Sequence, residues 1–198
     1  MRVALFGGSF NPPHLAHQMA ALYVLETAPV DELWIIPAFR HAHGKALAPF
    51  ADRLAMCELA ARALGPRARV SDVERELGDE SRTLRTVRRL QAWFATHAFS
   101  LVIGADLLAE VPSWYGGAEL QATVPFIVVG RAGVGGAPGG GLAVVGAPGQ
   151  GALALPEVSS TQVRAALAAG KSVEGLVPRA VLDYIYDHTL YKASEEHA

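Results

Sequence analysis

Two histidines three residues apart, His14 and His17, stand in the segment GGSFNPPHLAH that begins at Gly7. On a helix that spacing puts both imidazoles on one face, at the same end. Two donors placed there can hold phosphate oxygens and the charge that builds on a phosphoryl group in transfer. Gly7 and Gly8 let the backbone approach a phosphate closely, and a helix opening after Pro12-Pro13 would add its free N–H groups and the positive end of its dipole. The segment is no Walker loop, because no GKS or GKT follows, and it is not GxGxxG. Taken alone, an H-x-x-H pair also fits two satisfied histidines on an amphipathic helix, and zinc would want a third ligand nearby. Position favours the phosphate reading, because the pair follows an apolar run that ends in Gly-Gly. A second hydroxyl-rich helix start is VSSTQVRAAL, from Val158. Ser159, Ser160 and Thr161 can donate to an anion, and Arg164 one turn on can fork onto phosphate oxygens. Alone, this would be a plain N-cap with a surface arginine. Two such cradles in one fold suit a triphosphate.

The elements that must position these residues follow from the apolar pattern. Val3 to Phe6, Leu33 to Ile36, Phe99 to Ile103 and Pro125 to Val129 are short apolar runs that suit buried strands of a parallel sheet, with Ala68 to Val73 a weaker one. Helices are expected after Pro13, with Leu15, Met19, Leu22 and Tyr23 on one face and Pro29 as the stop, over Phe50 to Leu64, and over Leu84 to Phe94 with Ser81 or Thr83 as the cap. Strands alternating with helices predict right-handed βαβ units and an α/β, doubly wound, Rossmann-like parallel sheet flanked by helices. Residues 130 to 151 form a Gly- and Pro-rich excursion, with Leu142 to Val145 as an edge strand. Two helices close the chain within 159 to 192, the first capped by Ser159 or Ser160 and stopped by Gly170, the second opened by Pro178. The whole of 1–198 reads as a single domain.

Composition narrows the partners. With 17 basic and 19 acidic residues among 198, the net charge is −2, which argues against a nucleic-acid binder or a polybasic membrane binder. A chain that is 51% hydrophobic can bury a core, so global disorder is excluded. One cysteine, Cys57, leaves no internal disulfide and no cysteine-based zinc site. Val3 to Phe6 is too short for a signal-peptide core, and no window approaches the roughly 20 apolar residues of a membrane span. The expected setting is cytoplasmic. Association into a homo-oligomer stays open.

GGSFNPPHLAH resembles the G-x-F-[DN]-P-x-H-x-G-H signature of the nucleotidylyltransferase superfamily, with Ala16 where that family has glycine. VSSTQVR is similar to its [IV]-S-[SA]-T-x-[IV]-R element, which there holds the β- and γ-phosphates of ATP. Three further stretches resemble the bacterial nicotinate-nucleotide adenylyltransferases. Ser81-Arg82-Thr83 stands for their S-Y-T, with Arg82 replacing the aromatic. Ile103-Gly104-Ala105-Asp106 and Val111 to Tyr115 stand for I-[IL]-G-x-D and P-x-W. Leu176 to Lys192 is similar to their L-[LV]-P-x-x-V-x-x-Y-I-x-x-x-x-L-Y ending.

The resemblance implies the nucleotidylyltransferase fold and transfer of the adenylyl group of ATP to nicotinate mononucleotide, giving deamido-NAD and pyrophosphate in NAD biosynthesis. It implies His14 and His17 as the catalytic pair. It places Gly7, Gly8, Ser9, Phe10, Gly104, Asp106, Ser159, Ser160, Thr161 and Arg164 at ATP, with Gly104 and Asp106 at the ribose. It places Ser81, Thr83, Trp114 and Lys45 at the mononucleotide, with Trp114 stacked on the ring. Mg²⁺ would arrive with ATP, without a metal site built from side chains. The loop PAFRHAHGK, from Pro37 to Lys45, lacks the family's Pro-Pro but keeps Arg40, His41, His43 and Lys45 as groups for a phosphate. A sibling enzyme acting on nicotinamide mononucleotide or another phosphorylated acceptor remains the alternative. A non-catalytic nucleotide-binding module fits less well, because both histidines are present.

Overall fold

The computed structural model describes residues 1–40, 46–78, 81–130, 143–145 and 155–192. The chain runs β1 (Arg2–Gly8), α1 (Leu15–Thr27), β2 (Glu32–Pro37), α2 (Phe50–Arg62), β3 (Ala68–Val70), α3 (Val73–Leu77), α4 (Thr83–Trp93) and β4 (Ala98–Gly104). A 3-10 helix (Ala105–Ser113), α5 (Gly117–Thr123), β5 (Phe126–Val129), β6 (Ala143–Val145), α6 (Ser160–Ala168) and α7 (Arg179–Asp187) follow. Among the described residues, the strands form one sheet in the order β3-β2-β1-β4-β5-β6, and every pairing is parallel. This is the doubly wound α/β sheet expected from the alternation of runs.

The strands read as continuous apolar runs because both faces are covered. Side chains alternate along each strand. Val3, Leu5, Trp34, Ile36, Leu101 and Ile103 enter one core with Val73 of α3, Leu84, Val87 and Leu90 of α4 and Leu120 of α5. Ala4, Leu33, Ile35, Val102, Ile127 and Val129 enter the other with Ala20, Ala21, Val24 and Leu25 of α1 and Cys57 and Ala61 of α2. A third core lies beyond α2, where Met56 and Ala60 meet Val163 and Leu167 of α6 and Val181 and Ile185 of α7.

Several expectations need correction. The buried face of α1 is Ala16, Ala20, Ala21, Val24 and Leu25, whereas Leu22 is 48% exposed. Small alanines let the helix lie close on the sheet, so the larger side chains did not mark the inner face. The N-cap of α4 is Arg82, not Ser81 or Thr83, and its side chain makes no capping bond. The third strand ends at Val70, because Val73 already opens α3. α3, the 3-10 helix and α5 were not anticipated; α3 and α5 are too short for a helical period to show. Residues 143–145 do form the outer strand, and Leu142 and nearly all the rest of the Gly-rich stretch lie outside the described residues. No helix among the described residues is long and apolar enough to cross a membrane.

Candidate active site

β1 lies between β2 and β4, yet the chain reaches β4 only after building β2 and β3 on the other side. The connections from β1 and β4 therefore diverge, and a crevice opens at their carboxyl ends. That crevice is a cleft of about 790 Å³, within the range that holds a small ligand. Its lining gathers Gly7, Gly8 and Ser9 from β1 and the loop after it, and His14 and His17 from the start of α1. Ser81, Arg82 and Thr83 at the start of α4, Gly104 at the end of β4, Asp106 after it, and Trp114 line the cleft as well.

The loop after β1 is shaped by its small and aromatic residues. A Cβ on Gly7 would meet no described atom within 4 Å, so the bare backbone there opens onto space for a ligand. A Cβ on Gly8 would sit 3.1 Å from the Phe10 ring. Phe10 has φ 44°, a left-handed conformation that costs a side-chain residue about 1–2 kcal/mol. Its ring is 2% exposed and stands edge-on to Phe6 at 5.6 Å and to His17 at 5.0 Å. Phe10 thus supports His17 from below and is not among the residues lining the cleft.

The two histidines do not both lie on the helix. His14 is the extended N-cap residue of α1, and His17 is in its first turn. Their rings stack at 3.6 Å between centroids and 21° between planes. The His14 backbone N–H donates to His17 Nδ1 at 3.2 Å. An accepting Nδ1 carries no proton, so the neutral ring holds its proton on Nε2, where it can donate.

Behind the loop lies a network that individual residue types did not announce. Arg53, 1% exposed, donates to Ala48 O at 2.9 Å, Ser9 O at 2.9 Å and Phe39 O at 3.3 Å. Burial pushes its guanidinium below the ordinary arginine value. One side chain so joins the loops after β1 and β2 to the segment before α2. Asn11 Oδ1 accepts Ala48 N–H at 3.0 Å and the Tyr191 hydroxyl at 2.9 Å. A signal for Arg53 existed, since it shares helical spacing with buried Met56, Cys57 and Ala60.

The hydroxyl-rich helix start meets this loop from the other side. Ser159 caps α6, accepting Gln162 N–H at 3.2 Å. Ser160 Oγ donates to Pro12 O at 2.9 Å, and Arg164 Nη1 donates to Asn11 O at 2.8 Å. Ser159, Ser160, Thr161 and Arg164 are not among the cleft-lining residues; Ser160 and Arg164 brace Pro12 and Asn11, between the glycines and the histidines.

On the opposite wall, Glu74 is 7% exposed and was missed in the sequence, because α3 itself was unseen. It accepts from Ser81 Oγ, from Phe39 N–H at 3.0 Å and from Thr86 Oγ1 at 2.9 Å. Burial pushes its carboxyl above the ordinary value. The spacing of Gly104 and Asp106 also has a steric origin: a Cβ on Gly104 would lie 2.3 Å from Asp106 Oδ1. Trp114, half-buried, follows the 3-10 helix, and its carbonyl accepts Gly117 N–H at 2.9 Å. His41, His43 and Lys45 lie outside the described residues.

A cytidylyltransferase-like family model matches residues 5–166. Over 193 residues the chain is 49% identical to a protein of Anaeromyxobacter dehalogenans (strain 2CP-C) named "Probable nicotinate-nucleotide adenylyltransferase", covering 96% of each. A protein of Myxococcus xanthus (strain DK1622) with the same name is 38% identical, covering 96% of this chain and 95% of its own. Among solved structures, the Plasmodium falciparum nicotinic acid mononucleotide adenylyltransferase complexed with NaAD superposes with a TM-score of 0.77 at 20% identity, covering 96% of this chain and 97% of that one. That structural likeness shows the fold, and the family rests on the sequence matches. The chain belongs to the cytidylyltransferase-like family and, within it, groups with the nicotinate-nucleotide adenylyltransferases.

Proposed function

We propose that the protein transfers the adenylyl group of ATP to nicotinate mononucleotide, forming deamido-NAD and releasing pyrophosphate. The observation that carries this reading is the stacked His14–His17 pair at the mouth of α1, facing Ser81 to Thr83 and Trp114 across one cleft. The family's relatives support the choice of acceptor.

In this reaction a phosphate oxygen of the mononucleotide attacks the α-phosphorus of ATP in line, and the bond to the bridging oxygen of pyrophosphate breaks. The attacking phosphate is largely dianionic near neutral pH, because its second pKa is about 6. No general base is needed, and the chain contributes alignment and charge stabilisation. His17 donates from Nε2 to an α-phosphoryl oxygen as charge builds there, and His14 holds the same phosphoryl group. Gly7 and Gly8 admit the phosphates. Gly104 and Asp106 take the ribose, and Trp114 takes the pyridine ring. Ser160 and Arg164 hold the loop that would meet the leaving pyrophosphate, through Pro12 O and Asn11 O.

Mg²⁺ is part of the ATP substrate in this reading. No group of three or more potential ligands is present among the described residues. Glu74, an acid of the cleft, is already engaged by three donors. The ion would be held by phosphate oxygens and water, as suits its octahedral preference.

Pyrophosphate release from ATP and Mg²⁺, measured with nicotinate and nicotinamide mononucleotides side by side, tests the proposal. Release with the acid and a clear preference for it is expected. Release with the amide alone would move the substrate, and none with either would refute the reading.

A further inference from the structure

Glu74 lines the cleft, yet its carboxylate accepts from the chain's own donors, and these come from two elements. Phe39, in the loop after β2, gives its N–H; Ser81 and Thr86, on either side of the start of α4, give hydroxyls. A further bond crosses between the same two segments, from Ser81 N–H to Arg40 O at 3.0 Å. The Phe39 carbonyl accepts Arg53 Nη2 at 3.3 Å, and Arg53 also donates to Ser9 O at 2.9 Å. A path of hydrogen bonds therefore runs from Ser9 through Arg53, Phe39 and Glu74 to Ser81. It joins the loop that leads to the histidines with the wall formed by Ser81, Arg82 and Thr83. Satisfied buried polar networks of this kind rigidify what they connect. A hydroxyl has one proton, and Ser81 gives its proton to Glu74, so it has none to donate to a ligand.

We infer that Glu74 is a positioning residue: by holding Phe39 N–H and the Ser81 hydroxyl together, it sets where the acceptor wall stands relative to the histidine loop. This rests on the adenylyl transfer proposed above, in which the mononucleotide lies against Ser81 to Thr83 and Trp114. In-line attack needs the acceptor phosphate close to the α-phosphorus, and a displacement of about 1 Å can cost about a hundredfold. Glu74 acts on that distance through other residues, and Ser81 acts with it as one unit. The hydrogen bonds carry the effect, and glutamine can reproduce them. An amide oxygen in the place of Oε2 accepts Phe39 N–H and the Ser81 hydroxyl. The amide NH₂ then donates to Thr86 Oγ1, whose own proton goes to Arg82 O, 3.3 Å away.

The test is steady-state kinetics with nicotinate mononucleotide and ATP varied in turn, for the wild type and for Glu74→Ala, Glu74→Gln, Ser81→Ala and Thr86→Val. Glu74→Ala is expected to raise KM for the mononucleotide about tenfold or more, while KM for ATP stays within about twofold. Glu74→Gln should recover most of that loss. Adding Ser81→Ala to Glu74→Ala should cost nothing further, as holds for residues that act as one unit. Thr86 is buried and is not among the cleft-lining residues, so Thr86→Val reaches the acceptor only through the network. It should raise the mononucleotide KM severalfold, and it carries the test if Glu74→Ala fails to fold. A mononucleotide KM unmoved in every variant would overturn the assignment, leaving Glu74 a merely structural residue. Equal rises for both substrates would overturn it too, as would a glutamine variant as impaired as the alanine one, which would make the charge the cause. Losses that multiply in the double variant would overturn the joint action of Ser81 and Glu74. A wild type that uses neither nicotinate nor nicotinamide mononucleotide refutes the adenylyl-transfer reading itself, whereas an active wild type with an unmoved KM refutes only the role of Glu74.

Discussion

His17 lines the cleft with its tautomer set by the chain, because the His14 N–H donates to Nδ1 and puts the ring proton on Nε2. A donor preset toward developing charge needs no reorganisation during the reaction. His17→Ala is therefore expected to lower kcat about a hundredfold or more, and steady-state kinetics with an unchanged kcat would remove that role. Trp114→Ala should raise KM for the mononucleotide more than KM for ATP; the opposite pattern would take Trp114 out of the acceptor pocket. At this scale much was legible. The chemistry-bearing residues after β1 and β4 and at the start of α4 stand together in the cleft, and Gly104 with Asp106 forms one steric unit. Phe10 was legible only as part of a motif, because its place beneath His17 depends on a positive φ that spacing does not reveal.

At the scale of elements, the site depends on loops tied by buried polar side chains. Arg53 is bonded to three backbone carbonyls from three segments. Arg53→Met would leave those acceptors without that donor, at a cost of about 3 kcal/mol or more. For a chain of this size, that corresponds to a fall in Tm of roughly 6–12 °C, and an unchanged melt would contradict the role. Glu74 is pushed above its ordinary value by burial, so the folded protein binds its proton more tightly than the unfolded chain does. Its contribution to stability is fullest below the unfolded value and declines as pH rises through the folded one. The Tm difference between wild type and Glu74→Gln should therefore shrink from mildly acid to neutral pH. A flat or growing difference would contradict the burial argument. Neither residue was singled out from sequence, since burial of a lone charge follows from contacts 30 or more residues away in the chain, such as Glu74 with Phe39 and Arg53 with Ser9. The inner face of α1 was misread for a related reason, as alanines at close contact carry the packing that leucine and tyrosine were expected to carry.

For the molecule as a whole, the strand order places one crevice between two diverging connections; the first phosphate-suited segment lines it, and the second is bonded to the loop of the first through Pro12 O and Asn11 O. The alternation of apolar runs was enough to predict the sheet, because buried parallel strands declare themselves in sequence. The third layer was legible as two helices but not as a support. Tyr191 reaches Asn11 across 180 positions of chain, and Leu15 N–H donates to Leu176 O at 2.9 Å, so the end of the chain holds the loop near its start. In the proposed reaction the whole assembly aligns the α-phosphorus of ATP with a mononucleotide phosphate for direct transfer. The most direct measurement uses ATP labelled at the α-phosphorus, incubated with the protein and Mg²⁺, with and without nicotinate mononucleotide. Label is expected in deamido-NAD only when the mononucleotide is present, and on the protein at no time. Labelled protein, or label released without acceptor as free nucleotide, would contradict it.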